Sequence, residues 1–433
     1  MVECEVNVAH IDPFGAPRVR SDSWRCLVRE LSHECYADNM ASRIAIDIGV
    51  DADEGELGQV DSGLLPDFAT AGGHNSFADL HETAWQCMFP RARFMPTANE
   101  QYAIGADAYR EMLHVGEAVE LSLERLLALA EVDLARNQAE FKVVAHKIAP
   151  GKSPAEVMRD MAHHHPSAHE LIPTAQKVME NLRAFILERD LVSVPADLAP
   201  TIAETPGFLR WAFAMMDTPG AFEKVATEAF YYITPPEKNW PEVKVEEWLT
   251  AFNYSMLEST SAHEGWPGHY LHWLHFRNSP TEVTKALEAY TFSEGWAHYV
   301  EQMMVEEGYR ESEPYFHLAQ LAEALPRDVR FICAIGLHTQ GMSVDEAARH
   351  FMNDAYMEEL PARKEAERGT FDPGYLAYTL GKLMVLKLRR DYKSEQYTAF
   401  SLKRFHDTFL SFGAPPIPLV RKMMLHHDDG QII

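Results

Sequence analysis

The pattern of hydrophobic positions changes near residue 101, after which long amphipathic runs alternate with short breaks. In residues 115–147, leucine and valine recur at steps of three and four, which places them on one face of a helix. Breaks fall at Pro150, at Pro166 and in residues 192–200, 218–220 and 234–241. Proline and glycine interrupt regular helix at such positions. The pattern predicts a mainly α, multi-helix fold with at most a small β element.

Residues 1–100 are less periodic and richer in glycine, aspartate and proline, and residues 44–50 are a candidate short strand. We therefore predict two parts, a less regular N-terminal segment (1–100) packed on a helical body (101–433). Within the body, the aromatic segment 230–236 is a candidate edge strand or extended wall of a cleft.

The amino-acid composition limits the classes of molecule that the protein can bind. The 433 residues are 46% hydrophobic, enough for a large core. The 65 acidic and 39 basic side chains give a formal charge of −26, and this field repels nucleic acid and anionic lipid. The sequence shows no leader and no uninterrupted apolar run of membrane-spanning length. We predict neither a nucleic-acid partner nor a membrane partner, while the oligomeric state is left open.

The five cysteines are an odd number without CxxC spacing, so they indicate neither a disulfide framework nor a thiolate metal site. Reduced cysteines and the missing leader together predict a cytoplasmic protein.

Candidate chemistry is concentrated in residues 263–301. His263 and His269 flank the carboxylate of Glu264, and a second carboxylate, Glu294, follows on another predicted helix. Two imidazoles and one carboxylate are a common ligand set for a catalytic zinc ion, with a further glutamate left free as a base. The sequence predicts one Zn²⁺ per chain, bound by His263, His269 and Glu294.

The spacing of the two histidines is unusual, because the HExxH arrangement separates them by four positions and here they lie six apart. On a straight helix, six positions rotate the side chain by about 240°, so the imidazoles would point apart. Pro267 and Gly268 lie between them and permit a kink or restart. The alternative is an ordinary helix corner with His269 as a satisfied polar residue. Glu294 favours the metal site, since the adjacent Gly295 leaves room for close approach.

The segments HEGWPGHYLH (263–272) and SEGWAHYVE (293–301) resemble the bacterial family called domain of unknown function 885, whose signature is HExxPGHxxQ followed by EGWAxYxE. The likeness continues through the motifs at 328–330, 336–338, 374–382, 388–389 and 404–407, over roughly residues 100–425. This family resembles the gluzincin metallopeptidases, which implies a gluzincin-like helical fold with a cleft and a catalytic domain over residues 101–433.

The resemblance also suggests further site residues. His338, Tyr375 and Tyr378 fall in matching motifs and are candidate donors to an oxyanion. Buried tyrosines with satisfied hydroxyls are the alternative. Arg330 and Arg389 are candidates to bind a substrate carboxylate, or are structural ion pairs.

Two positions depart from the family pattern. His272 replaces the signature glutamine, and His298 replaces a usual aliphatic residue. Each is a candidate extra ligand, proton shuttle or supporting partner of a ligand.

These residues predict zinc-dependent hydrolysis of a small peptide or peptide-like amide, with Glu264 as general base. Two alternatives stay open. One is hydrolysis or rearrangement of a non-peptide metabolite at the same metal. The other is a non-catalytic metal-binding protein, whose coordination sphere His272 or His298 would close.

Overall fold

A computed structural model of the chain describes residues 101–210, 212–225 and 227–433. The predictions for residues 1–100, including the strand at 44–50, lie outside these residues. Two stretches, Gln101–Thr205 and Ala212–Ile433, form one compact unit, and a short 3₁₀ turn at Gly207–Leu209 lies outside it.

The described residues are mainly helical, which confirms the predicted fold class. The first helices are α1 (Ala106–Glu117), α2 (Leu123–Ile148), α3 (Pro154–Ala162), α4 (Leu171–Glu188), α5 (Glu242–Leu249), α6 (Tyr254–Glu264) and α7 (His269–Phe276). They are followed by α8 (Glu282–Ala286), α9 (Tyr290–Glu306), α10 (Pro314–Thr339), α11 (Val344–Asp354), α12 (Glu359–Phe371), α13 (Ala377–Gln396), α14 (Leu402–Leu410) and α15 (Ile417–Met424). Two 3₁₀ turns occur at Thr250–Phe252 and Tyr397–Ala399.

The helix expected over residues 115–147 is divided between α1 and α2. Ala118 has a left-handed backbone with φ of 53° and ends α1, and the Ser122 side chain accepts a hydrogen bond from the Arg125 amide at the start of α2. A serine at this position satisfies an otherwise unpaired N–H and so favours a new helix start. The predicted proline and glycine breaks all lie between elements.

A three-stranded sheet in the order β1-β3-β2 is the one sheet among the described residues, with strands β1 (Thr201–Glu204), β2 (Ala214–Asp217) and β3 (Phe230–Ile233). β3 pairs in parallel with β1 and antiparallel with β2. The prediction of an edge strand at 230–236 is therefore wrong. Alternate residues Tyr231 and Ile233 are fully buried, which suits a central strand, and β2 is the edge strand that reaches the candidate site.

The central helices α9 and α13 cross with their backbones in contact. A Cβ added to Gly381 would lie 2.0 Å from the Thr291 carbonyl oxygen and 2.6 Å from the Gly295 Cα. Only glycine at both positions allows this approach, because any side chain would have to occupy the same space. The crossing brings Glu294 on α9 next to Tyr378 on α13.

Buried charges join three helices behind this crossing. Lys382 Nζ on α13 donates to Asp133 on α2 at 2.7 Å. Asp328 on α10 accepts from Asn137 at 2.6 Å and from Thr379 at 2.9 Å. Buried charges are tolerated when they are paired and hydrogen-bonded in this way.

The substitution Gly381→Ala should destabilise the protein by about 1–3 kcal/mol or more, because the new methyl group overlaps the Thr291 carbonyl. Urea denaturation of the purified variant measures this. Gly116→Ala on α1 is the control, since nothing lies within 4 Å of its added Cβ. Equal stability of the two variants would show that the α9–α13 contact is looser than described.

The free energy of unfolding should fall in mild acid, because the buried His406 resists protonation in the folded protein. This buried imidazole contacts the Leu191 carbonyl at 2.7 Å and the Tyr299 hydroxyl at 2.8 Å, and burial lowers its pKa to about 4. Between the unfolded pKa near 6.5 and this value, the unfolded chain binds a proton that the folded chain does not. Stability is therefore present above about pH 6.5 and is lost as pH falls toward 4.

From pH 7 to pH 5 the His406 contribution should amount to about 2 kcal/mol. His406→Gln should show a correspondingly smaller loss in urea titrations at the two pH values. Replacement of the exposed His146 by Gln is the control and should keep the wild-type loss. Identical pH dependence in all three proteins would contradict the prediction.

Candidate metal centre

The backbone between α6 and α7 explains how two histidines six positions apart meet. Gly268 N–H donates to the Ala262 carbonyl at 3.0 Å, and Leu271 N–H donates to the Gly265 carbonyl at 3.3 Å. Both hydrogen bonds span six residues instead of the four of an α-helix. Two residues are therefore looped out, and a separation of six acts as a separation of four, which places His263 and His269 on one face.

Glycine is required in this bulge. A Cβ on Gly268 would lie 1.7 Å from the His263 carbonyl oxygen, and a Cβ on Gly265 would lie 2.9 Å from the Ser261 carbonyl oxygen. The Trp296 indole of α9 donates to the Pro267 carbonyl at 2.9 Å. The bulge is thus attached to the helix that carries Glu294.

Three potential ligand atoms converge at this point. His263 Nε2 and His269 Nε2 lie 3.3 and 3.4 Å from Glu294 Oε2, and the three atoms lie within 4.8 Å of one another. Glu294 Oε2 is buried and has no hydrogen-bond partner of good geometry among the described residues. A buried carboxylate oxygen without a donor is costly, and a cation shared with the two imidazoles would satisfy it. The residues therefore fit a zinc ion.

The charges of these groups are coupled. Burial raises the pKa of Glu294, but His269 and His263 outweigh burial and hold that pKa well below its usual range. Burial and Arg327 lower the pKa of His263, whereas Glu294 and Glu301 raise it more strongly, to about 9. Two carboxylates thus surround the His263 ring and favour positive charge there.

Glu301 orients His263 from behind. Its Oε1 lies 2.7 Å from His263 Nδ1, and its Oε2 accepts from Arg327 at 3.2 Å. Arg327 Nη2 also lies 3.4 Å from His263 Nδ1, but the shorter contact with the carboxylate indicates that Nδ1–H donates its hydrogen bond to Glu301. When Nε2 loses its own proton, its lone pair is directed toward Glu294, as a metal-binding histidine requires.

Glu264, next to the candidate ligand His263 in sequence, is hydrogen-bonded to the sheet. Its Oε2 accepts a hydrogen bond from the Met216 N–H of β2 at 2.9 Å. Since the Phe213 carbonyl pairs with the Thr234 N–H, strand alternation turns the N–H and C=O groups of Ala214 and Met216 away from β3. One carboxylate oxygen of Glu264 is therefore fixed by the sheet edge, and the other is left available.

Tyr378 lies beside the cluster as the sequence predicts. Its ring stacks on that of His263, with centroids 6.3 Å apart and planes 20° from parallel. Its hydroxyl accepts from Arg368 Nη2 at 3.4 Å, and the Tyr290 hydroxyl accepts from the same nitrogen at 3.2 Å. Burial and nearby Glu294 raise the pKa of Tyr378, so its phenol is neutral and can donate a proton in a hydrogen bond.

The start of α9 is fixed from another helix. The Glu117 carboxylate at the end of α1 accepts from the backbone N–H groups of Tyr290 and Thr291 at 3.0 and 3.2 Å, and also from the Thr291 hydroxyl. This cap satisfies N–H groups that a helix start leaves unpaired. It positions Tyr290, one turn before Glu294.

The two arginines predicted to bind a substrate carboxylate form structural ion pairs instead. Arg330 donates through Nε and Nη2 to Glu365 at 2.7 and 2.8 Å. Arg389 donates to Glu306 at 2.8 Å and to the Tyr299 hydroxyl at 3.1 Å. The contacts favour the alternative of structural ion pairs, and these two side chains are only 14% and 20% exposed.

Neither His338 nor Tyr375 is brought to the cluster. His338 Nε2 donates to the Gly369 carbonyl at 2.7 Å, and a Cβ on Gly369 would touch the Tyr375 hydroxyl. His338 lies eleven residues beyond Arg327 on α10, which is about 16 Å along a helix. Both side chains are buried against α12, so their predicted contact with an oxyanion is corrected.

The two extra histidines are also not ligands in this geometry. His272 Nε2 donates to the Gly413 carbonyl at 3.2 Å, away from the cluster, and burial lowers its pKa to about 3. His298 is fully buried with Nδ1 3.5 Å from Glu301 Oε2. Of its predicted roles, His298 retains only a supporting one, because it contacts Glu301, which in turn contacts the candidate ligand His263.

Comparison with known proteins agrees with the signature segments. The family model described as "Bacterial protein of unknown function (DUF885)" matches residues 81–424. The chain belongs to this family, as the resemblance predicted. The match begins about twenty residues earlier than expected, and no curated protein matches the chain. The resemblance to gluzincins stays a prediction.

Two solved structures share the fold. One is "a putative lipoprotein of unknown function" from Shewanella oneidensis, with a TM-score of 0.70, 24% identity and coverage of 80% of this chain and 64% of that one. The other is "the putative lipoprotein from Colwellia psychrerythraea", with a TM-score of 0.66, 20% identity and coverage of 78% and 59%. This chain thus spans about three fifths of the length of each.

Among the described residues, no helix is long and apolar enough to cross a membrane. The comparisons do not support the predicted cytoplasmic location, which stays a prediction.

Four residues of the site had no role assigned from sequence. They are Glu301, Arg327, Tyr290 and Arg368. Glu301 had a signal, since it is the last glutamate of the EGWAxYxE segment and lies two helical turns after Glu294 on the same face. Arg368 had none, because its contact with Tyr290 and Tyr378 depends on the packing of α12.

Glu301→Gln should weaken zinc binding about 10- to 100-fold, because it removes the charge that supports the His263 imidazole. Competition with a chromophoric chelator measures the affinity. Glu323→Gln is a matched control, since Glu323 also pairs with Arg327, at 3.4 Å, but makes no hydrogen bond with His263 in the described part of the chain. Unchanged affinity in Glu301→Gln would remove the supporting role.

Proposed function

We propose that the chain is a zinc-dependent hydrolase of small peptides or peptide-like amides, with His263, His269 and Glu294 as metal ligands. The observation that carries the proposal is the convergence of two imidazole nitrogens on the buried, donor-free oxygen of Glu294, beside a separate glutamate. A zinc ion bound there would supply Lewis acidity, which lowers the pKa of a water molecule to about 7.

Glu264 acts as the general base in this proposal. Its Oε2 is anchored to the Met216 amide, so its second oxygen has a fixed position from which to accept a proton from the attacking water. The same oxygen then transfers the proton to the leaving amine. Such proton transfer typically accelerates a reaction about 10²- to 10⁴-fold.

Tyr378 is the proposed donor to the oxygen that becomes negative when the amide carbonyl is attacked. Its phenol is neutral and its ring lies on His263, while Arg368 donates to its oxygen. A donor whose own acceptor sites are occupied is held in orientation before the reaction.

The free edge of β2 is the proposed contact for the substrate backbone. The outward groups of Ala214 and the Met216 carbonyl have no partner in the sheet, and an extended peptide can pair with such an edge. This places an extended chain next to Glu264. The preference for small substrates rests on the family resemblance to small-peptide enzymes.

The alternatives have less support. A closed, non-catalytic site needs a fourth protein ligand, but His272 donates to Gly413 and His298 faces Glu301. Hydrolysis of a non-peptide metabolite stays open, and no observation favours it. For location, the descriptions of the two structural neighbours as putative lipoproteins favour the cell envelope over the cytoplasm.

Glu264→Gln should keep its zinc content and lose peptide hydrolysis by at least about 10²-fold, because the amide cannot accept the proton. Elemental analysis and assays on a peptide panel measure the two properties. Glu247→Gln at an exposed position is the control and should match wild type.

Glu294→Ala should lose the metal itself. Absence of zinc from the wild-type protein would remove the proposal, and full turnover by Glu264→Gln would remove this residue as base. Full metal retention by Glu294→Ala would mean that the third ligand is another residue.

A further inference from the structure

Three arginines surround the ring of Tyr378, and one of them differs from the others. The guanidinium carbons of Arg330, Arg327 and Arg368 lie 5.0, 5.7 and 5.9 Å from the ring centroid. Side-chain exposure is 9% for Arg327 and 14% for Arg330, but 31% for Arg368. Arg368 is therefore the guanidinium that a ligand can reach from solvent.

The hydrogen bonds of the Arg368 guanidinium use Nε and Nη2 and leave Nη1 available. Its Nε and Nη2 donate to Asp372 at 3.1 and 2.9 Å, and Nη2 also donates to the hydroxyls of Tyr290 and Tyr378. Within the described part of the chain, Nη1 has no hydrogen bond. Asp372 thus fixes the orientation of the guanidinium, and two N–H donors stay available.

The two tyrosines add donors at the same place. Each phenol oxygen accepts from Arg368, and a phenol that accepts a hydrogen bond still has its own proton to donate. A hydrogen bond between the two phenols would use one O–H and leave the other free. Arg368 with one phenol therefore presents donors suited to the oxygens of a carboxylate.

The position of this group relates it to the candidate metal site. Tyr290 and Glu294 are four residues apart on α9, so they share one face about one turn apart. Tyr378 stacks on His263. The Arg368 guanidinium carbon lies 5.9 Å from the Tyr378 ring centroid, which lies 6.3 Å from the His263 ring centroid, so a short peptide end can reach from the cluster to Arg368.

We propose that Arg368, together with Tyr290, forms a subsite for the free carboxylate of the substrate, so that the chain acts on peptides or amides that end near the cleaved bond. This inference rests on the proposed function for the identity of the reacting bond. It assigns to Arg368 the role that the sequence suggested for Arg330 and Arg389.

The test measures binding and does not require turnover. In the Glu264→Gln background, isothermal titration calorimetry compares the tripeptide Ala-Ala-Phe with its C-terminal amide. The acid should bind more tightly than the amide. Adding Arg368→Gln should reduce acid binding about 10- to 100-fold, the effect of losing a charge-assisted hydrogen bond, and should leave amide binding unchanged.

Arg363→Gln is the matched control, because Arg363 lies on the same helix and pairs with the exposed Asp345 at 2.8 Å. It should keep the preference for the acid. Zinc content and thermal unfolding are measured for every variant. If Arg368→Gln does not fold, Arg368→Lys replaces it, and a reduced preference for the acid is the expected result.

An undiminished preference for the acid in the Arg368 variant would overturn the subsite, since the carboxylate would then bind elsewhere, for example on the metal. Equal weakening of acid and amide would also overturn it and indicate a structural role. Absence of zinc or of hydrolysis in the wild-type protein would instead count against the proposed function, and the binding comparison would still report on Arg368.

Discussion

The candidate site depends on the bulge of residues 265–268 between α6 and α7. Hydrogen bonds that span six residues remove two positions from the helical repeat, so His263 and His269 meet as if they were four apart. Gly268 makes this path possible, because its missing side chain lets the backbone lie against the His263 carbonyl. A regular helix through the same residues would point the imidazoles apart.

The bulge is positioned by packing that reaches through the protein. Trp296 binds the Pro267 carbonyl, and the adjoining Gly295 lies against Gly381 of α13. One helix therefore holds the bulge, supplies Glu294 and sets its distance from Tyr378. A change at the glycine contact would move all of these groups together, since packed helices transmit such shifts.

Buried ion pairs around the site also position its side chains. Buried Glu301 and Arg327 form an ion pair behind His263, and such a pair is costly unless further hydrogen bonds satisfy it. Here the buried pair also orients a side chain, because the Glu301 carboxylate fixes which imidazole nitrogen of His263 faces Glu294. Arg330 and Arg389 show the opposite case. Each is paired with a carboxylate and is more buried than Arg368, so both stabilise helix packing and present little surface to a ligand.

By itself, the sequence determined the helical class, most of the breaks, the family and the residues of the candidate metal cluster. Periodicity, proline and glycine act locally, and the two signature segments contain all three candidate ligands. Only the tertiary structure decided which other residues join them. His338 and Tyr375 are buried against α12 while Arg368 and Tyr290 reach the site, because these contacts depend on where distant helices cross, and hydrophobic periodicity carries no information about that.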